Sequence, residues 1–174
     1  MIAALKPMLR RVAAKTYNTS AMPALDLPDE AATAAFAARV SAVAEIGDVI
    51  ALKGDLGTGK TSFARAFIRA RGAIEEVPSP TFTLVQIYEL AETAIWHFDL
   101  YRLKSAEEAW ELGIEDAFSE GISLIEWPER LGPLLPKHRL EIIFLYGDRP
   151  EARRAVLTAG GDWQRRLAEF FSDA

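Results

Sequence analysis

The sequence contains no cysteine. Disulfides, thiol nucleophiles and cysteine-based zinc sites are therefore excluded. Histidine is nearly absent too: His97 and His138 are the only two, and neither sits in a metal-ligand spacing such as HExxH. No apolar run reaches the length of a membrane span. Excess positive charge is also missing. The formal charge is −5, so the chain as a whole exerts no strong pull on nucleic acid or anionic membrane. A single asparagine, Asn18, opens a glycosylation sequon with Thr19 and Ser20. Without a secretory signal the match carries no weight, and the cytoplasm is the expected location.

What remains is the composition of a globular protein: 174 residues, 50% of them hydrophobic and 26% charged. Residues 1–25 stand apart. They hold Lys6, Arg10, Arg11 and Lys15 and no acid. Such a start fits a transit peptide or a surface-binding arm, and a flexible extension is the plainer expectation. Residues 26–174 are expected to form one domain, since no repeat or linker divides them.

The pattern along the chain alternates helix and strand early and favours strands later. "LPDEAATAAFAARVSAVAEIG" repeats Ala32, Phe36, Val40 and Val43 at helical steps, with acids first and Gly47 after the end. "DVIALKG" is a short buried strand. Residues 61–70 form a helix with Phe63 or Ala64, Phe67 and Ile68 on one face. Two strands, from about Thr83 and over "AIWHFDLY", read as an antiparallel hairpin. "KSAEEAWELGIEDAF" reads as one helix with a Ser105–Glu108 capping box. "GISLIEWP" is a strand stopped by Pro128, and "RLEIIFLYG" and "RRAVLTAGG" are two more. A terminal helix places Trp163, Leu167 and Phe170 on one side. The expected fold is α/β: a P-loop NTPase-like mixed sheet flanked by helices, parallel around the first strand and antiparallel elsewhere.

Between the strand at "DVIALKG" and the helix after it, residues 54–61 satisfy GxxxxGK(S/T). Each residue type at this spacing has a physical purpose. Glycines turn the backbone through conformations closed to other residues and bring N–H groups close to a phosphate. Gly59 opens a helix whose free N–H groups and dipole favour an anion. Lys60 is a mobile positive charge for the outer phosphates, and Thr61 offers a hydroxyl to Mg²⁺. A plain strand-turn-helix with a surface lysine is the alternative. The pattern would arise by chance about once in a hundred chains of this size, given glycine near 7%.

A phosphate loop needs an acid at the end of a neighbouring apolar strand. Asp99 ends "AIWHFD" and Glu126 ends "ISLIE". Either could reach the metal directly or through water, and spacing does not choose between them. His97 lies two residues before Asp99, so on a strand it shares that face. A packed or hydrogen-bonded structural histidine is the plainer reading of it. The guanine reader Asn-Lys-x-Asp of Ras-type GTPases is impossible here, because Asn18 is followed by threonine. ATP is the default nucleotide.

Several stretches together carry a resemblance. "GDLGTGKTSF", "SPTFTLV", "HFDLYRL", "LGIEDAF" and "LIEWPE" occur in this order and resemble the TsaE (YjeE-type) P-loop ATPases of bacteria. The likeness runs from about Leu27 to Arg154. Thr58 and Ser62 stand where that family more often has alanine and threonine. The resemblance implies an ATPase required for threonylcarbamoyladenosine at position 37 of tRNA, working beside the TsaB and TsaD proteins. It implies that Thr61 and Glu126 contact Mg²⁺ and that Asp99 is the Walker B acid. Gly57, Thr58, Gly59, Lys60, Thr61 and Ser62 would cradle the phosphates. Glu30 and Thr33 would lie near the adenine, Trp127 near the nucleotide, and a basic residue within 149–154 would approach it. In "PSPTFTLV", Pro78 and Pro80 restrict the backbone around Ser79. Ser79 and Thr81 supply hydroxyls that could sense the γ-phosphate or its metal, as switch loops do; a rigid strand-entry turn is the alternative.

No water-orienting glutamine stands out, since Gln86 is in a strand and Gln164 in the last helix. Arg102 is a candidate cation and equally a surface or partner contact. Slow hydrolysis without partners is therefore expected. A small-molecule kinase is the first rival, though no arginine-rich lid is visible. A non-catalytic ATP-binding interaction module is the second.

Overall fold

The computed structural model describes residues 23–172, with side chains through residue 169. The basic residues between Lys6 and Lys15, the sequon at Asn18 and the place of the Phe170 side chain lie outside what is described.

Among the described residues seven strands form one sheet. In chain order they are β1 (Ala24–Leu27), β2 (Val49–Lys53), β3 (Val85–Glu89), β4 (Ala94–Asp99), β5 (Gly121–Glu126), β6 (Leu140–Tyr146) and β7 (Arg153–Ala159). Their spatial order is β1-β7-β6-β2-β5-β4-β3. The four central strands, β6, β2, β5 and β4, run parallel. The β1–β7, β6–β7 and β3–β4 pairs are antiparallel. The mixed sheet and the hairpin at residues 85–99 are as the sequence predicts. The strand β1 is an addition, formed from a four-residue segment that pairs with β7 at the sheet's edge.

Among the described residues five α-helices cover the sheet: α1 (Glu30–Val43), α2 (Lys60–Ala70), α3 (Glu108–Glu111), α4 (Ile114–Glu120) and α5 (Trp163–Ser172). Asp29 caps α1 by accepting from the Ala32 N–H at 2.8 Å. That satisfies one orphan donor of the first turn. The buried stripe of α1 is Thr33, Phe36, Ala37, Val40 and Ser41, rotated slightly from the predicted one. Phe63 of α2 sits between Phe36 of α1 and Phe144 of β6, at centroid distances of 5.3 and 5.5 Å. Ile50 and Leu52 of β2 point into this core, which also takes Trp163 and Leu167 of α5. Val49 points to the opposite face, with Phe98, Ile114, Ala117 and Ile125. Burial on both faces explains why β2 and β5 read as unbroken apolar runs.

Two expectations fail. The segment "KSAEEAWELGIEDAF" is two short helices, not one. Gly113 takes φ +78°, and a Cβ there would lie 3.1 Å from the Trp96 ring. The chain turns at this glycine so that α4 can pack against β5. The Ser105–Glu108 capping box also fails to form: α3 starts after Glu107 with no side-chain cap. The Glu108 carboxylate instead accepts from the Lys104 N–H at 3.4 Å.

Candidate functional site

The glycine loop joins the end of β2 to the start of α2. At Gly54, φ is +135°, and a Cβ would lie 2.4 Å from the Phe144 carbonyl oxygen. Only glycine fits there. Gly59 takes φ +102° and directly precedes α2, so it turns the chain into the helix. The Thr58 hydroxyl folds inward and donates to the Asp55 carbonyl at 2.8 Å. It braces the turn, and its side chain does not face the cleft. Two groups from β6 and β7 hold the loop from outside. Tyr146 donates its hydroxyl to the Leu56 carbonyl at 2.5 Å, and Arg153 donates to the Gly57 carbonyl at 3.1 Å.

Lys60 is 4% exposed. Its ammonium donates to the carbonyls of Gly54 at 2.8 Å and Asp55 at 2.9 Å. It also lies 4.2 Å from the centre of the Trp127 ring. Burial lowers its pKa from the ordinary lysine value, while the negative charges of Glu126 and Asp99 pull it back up. Trp127 takes a left-handed backbone, φ +58°, directly after β5 and before Pro128. Its ring meets that of Tyr101 at 4.9 Å.

The two candidate acids stand side by side. Asp99 and Glu126 are register partners at the ends of β4 and β5, and Leu52 of β2 is opposite Glu126 on the other side. The strand order thus delivers both carboxylates to the loop. Their contacts differ. The Thr61 hydroxyl donates to Glu126, with oxygens at 2.9 and 3.0 Å. His97 Nε2 lies 2.8 Å from Glu126 Oε1. Asp99 accepts instead from the Thr81 hydroxyl at 3.2 Å and from the Tyr101 N–H at 3.2 Å. Ser79 joins this second group through a 2.7 Å contact with Thr81.

A cleft of about 260 Å³ opens over these groups. Of the residues singled out in the sequence, Gly57, Gly59, Lys60, Thr61, Ser62, Thr81, Asp99, Glu126 and Trp127 line it. A hollow of about 210 Å³ beside it holds Glu30 and Thr33 and shares Gly59 and Ser62. Arg153 borders both spaces and is the basic residue within 149–154 that does so. Arg149 reaches Glu151, and Arg154 reaches Asp26. Arg102 lies over the exposed Phe82 ring, away from the cleft. Neither Gln86 nor Gln164 lines the cleft.

Leu56, Tyr101 and Tyr146 were not legible as site residues, and Arg153 was legible only as one of the basic residues within 149–154. Tyr146 and Arg153 are partners in the β6–β7 ladder, and β6 is the other neighbour of β2. The strand order alone places them at the loop, and no local pattern announces it.

The chemistry of this arrangement is that of an anion cradle beside hard oxygen donors. A helix N-terminus, loop amides and a lysine suit phosphate. A hydroxyl and two carboxylates suit Mg²⁺, which takes one or two carboxylates together with phosphate oxygens and waters. Among the described residues no group of three or more His, Cys, Asp or Glu could hold a metal without such help. No described helix is long and apolar enough to cross a membrane.

Comparison with known proteins gives the fold and the family. A crystal structure of Bacillus subtilis YdiB superposes with a TM-score of 0.73 at 31% identity, covering 87% of this chain and 95% of that one. The fold is the P-loop NTPase-like mixed sheet expected from the sequence. The tRNA threonylcarbamoyladenosine biosynthesis protein TsaE of Rickettsia bellii is 44% identical over 117 residues, 67% of this chain and 81% of its own. Its namesake from Bacillus subtilis is 36% identical over 146 residues, 83% and 89% of the two chains. The protein of that name from Haemophilus influenzae is 39% identical over 126 residues, 72% and 78%. The family model described as "Threonylcarbamoyl adenosine biosynthesis protein TsaE" matches residues 27–155. The chain belongs to the TsaE family.

Proposed function

We propose that this protein is a Mg²⁺-dependent ATPase that supports formation of threonylcarbamoyladenosine at position 37 of tRNA, together with the TsaB and TsaD proteins. The observation that carries the reading is the Thr61–Glu126 contact at the mouth of the loop. A hydroxyl at the first turn of the helix, bonded to a strand-end carboxylate, is the donor pair that a phosphate-bound Mg²⁺ requires. Bound Mg²⁺ would neutralise charge on the outer phosphate oxygens.

The chain's own residues supply the rest. The loop amides and the start of α2 orient the phosphates. The Lys60 ammonium exchanges its two carbonyl partners for phosphate oxygens. Glu126 holds Thr61 oriented, and Asp99 links the site to Thr81 and Ser79, the segment read as a switch. Glu30 and Thr33 border the hollow suited to the base, and Arg153 stands between base and phosphate spaces. Trp127 covers the lysine and limits water. Nothing lining the cleft is a glutamine or a free arginine aimed at a transferring phosphoryl group, so slow turnover of the isolated protein is the expected state. The chain's negative charge argues for action through protein partners rather than tight tRNA binding.

That same lack of a water-orienting group favours one second reading, in which ATP only orders an interface. Reconstitution separates the two. Modified tRNA is counted over many cycles with TsaB and TsaD, with the wild-type chain, Lys60→Ala or Glu126→Ala. Loss of repeated cycles in a Glu126→Ala protein that still binds ATP supports hydrolysis. Full cycling by that variant supports the ordering role. Full cycling with Lys60→Ala defeats both.

A further inference from the structure

We propose that His97 is a positioning residue for Glu126: its Nε2–H donates to the carboxylate and fixes it so that it faces Thr61 and the cleft. The inference rests on the reading of Glu126 as the Mg²⁺-facing acid.

The geometry comes first. His97 and Asp99 share one face of β4, and Asp99 is the register partner of Glu126. His97 therefore sits one pleat behind the two acids, and it does not line the cleft. It is 0% exposed and Glu126 is 2% exposed. The Nε2···Oε1 distance is 2.8 Å. Nδ1 is buried and has no hydrogen-bond partner among the described residues.

That asymmetry selects the tautomer. A proton on Nδ1 would leave a buried N–H unpaired and turn the bare Nε2 lone pair against a carboxylate oxygen. The tautomer with its proton on Nε2 makes the one available bond and leaves only an unshared lone pair, the cheaper omission.

Glu126 needs this donor. Its other side-chain partner is the Thr61 hydroxyl, whose single proton is divided between two oxygens at 2.9 and 3.0 Å. Thr61 must also turn an oxygen lone pair toward an ion. His97 can hold the carboxylate without taking part in the cleft itself. Outer partners of this kind orient ligands, and their loss weakens metal affinity about 10- to 100-fold.

A histidine that merely fills the core predicts something else. Its replacement would lower stability and weaken every ligand alike. The test compares wild type with His97→Leu, which removes the donor, and His97→Gln, whose amide N–H can take the place of Nε2–H. Binding of ADP is followed by calorimetry across a Mg²⁺ titration, and folding by thermal melting. We expect His97→Leu to raise the Mg²⁺ midpoint by about tenfold or more while metal-free ADP affinity is unchanged. Gln should restore most of the midpoint. An unchanged midpoint in folded His97→Leu overturns the proposal, as does an equal loss of ADP affinity with and without Mg²⁺.

A second measurement does not depend on nucleotide. Long-range ¹H–¹⁵N spectra of the full wild-type chain should show His97 with its proton on Nε2, distinct from the exposed His138. That pattern should be lost in Glu126→Ala. A proton on Nδ1, or a mixture of tautomers in wild type, overturns the proposal even if His97→Leu fails to fold. Wild type that binds no ADP defeats the functional reading instead, and the spectra still decide the role of His97.

Discussion

Asp99 and Glu126 are register partners at the ends of β4 and β5, yet they hold different hydrogen-bond donors. Glu126 takes Thr61 and His97; Asp99 takes Thr81 and the Tyr101 amide. Two carboxylates of nearly equal position are thereby assigned to different neighbours. Glu126→Gln should raise the Mg²⁺ concentration needed for nucleotide binding by about 10- to 100-fold. Asp99→Asn should leave that midpoint nearer wild type and chiefly slow turnover with the partner proteins. Calorimetric Mg²⁺ titration and phosphate release, measured on both variants, check the assignment.

Thr61→Val keeps the shape of the side chain and removes the hydroxyl. The variant should fold, bind metal-free ADP as wild type does, and lose most of the affinity that Mg²⁺ adds. If Mg²⁺ strengthens ADP binding equally in Thr61→Val and wild type, the hydroxyl is not a ligand.

Lys60 carries a pH signature. Burial lowers its folded pKa below 10.5, the value taken for an unperturbed lysine. Folding therefore disfavours its proton, at a cost that is fully present below the folded pKa and fades as pH rises through it toward 10.5. Relative to Lys60→Met, the nucleotide-free wild type should gain stability as pH rises through that window. Denaturant titrations of both proteins between neutral pH and 10.5 measure the difference. A wild type that loses ground to the variant over that range contradicts the burial of the charge.

Gly54→Ala tests the packing behind the loop. The new methyl would enter at φ +135° and meet the Phe144 backbone at 2.4 Å. Strain and overpacking together should cost about 2–4 kcal/mol. Urea unfolding reads the loss directly, and nucleotide affinity should fall with it because Phe144 and the loop share this contact.

Arg166 tests a region remote from the cleft. It is 6% exposed and meets Asp48 at 2.6 and 2.8 Å and the Val43 carbonyl at 2.8 Å. This ties α5 to the entry of β2. Arg166→Met leaves Asp48 with the Glu45 N–H as its remaining donor and should cost about 1–3 kcal/mol. Adding Asp48→Asn should return part of that loss, and ADP affinity of either folded variant should match wild type.

How much of this was legible in the sequence depended on how local each cause is. The loop at residues 54–61 and its flanking elements were readable because glycine geometry and helix entry act within a few residues. The acids at 99 and 126 were readable as strand ends, but the choice between them was not. That choice depends on β5 lying between β2 and β4, which no local pattern records. The helix break at Gly113 has its cause in Trp96, on another element. The short strand β1 was missed because its partner β7 lies near the other end of the described chain. Arg153 was confined to a range and not singled out, since only the β6–β7 ladder brings it to the loop.

The position of Lys60 has a consequence for how a nucleotide arrives. Its ammonium already rests on two carbonyls of its own loop and against an indole. On the proposed function, an incoming phosphate would compete with these internal partners for the cation. Anything that loosens their hold on it, including a partner surface that shifts Trp127, would raise affinity without touching the nucleotide. On that reading the fold would carry a built-in threshold, set by the contact between the Lys60 ammonium and the Trp127 ring.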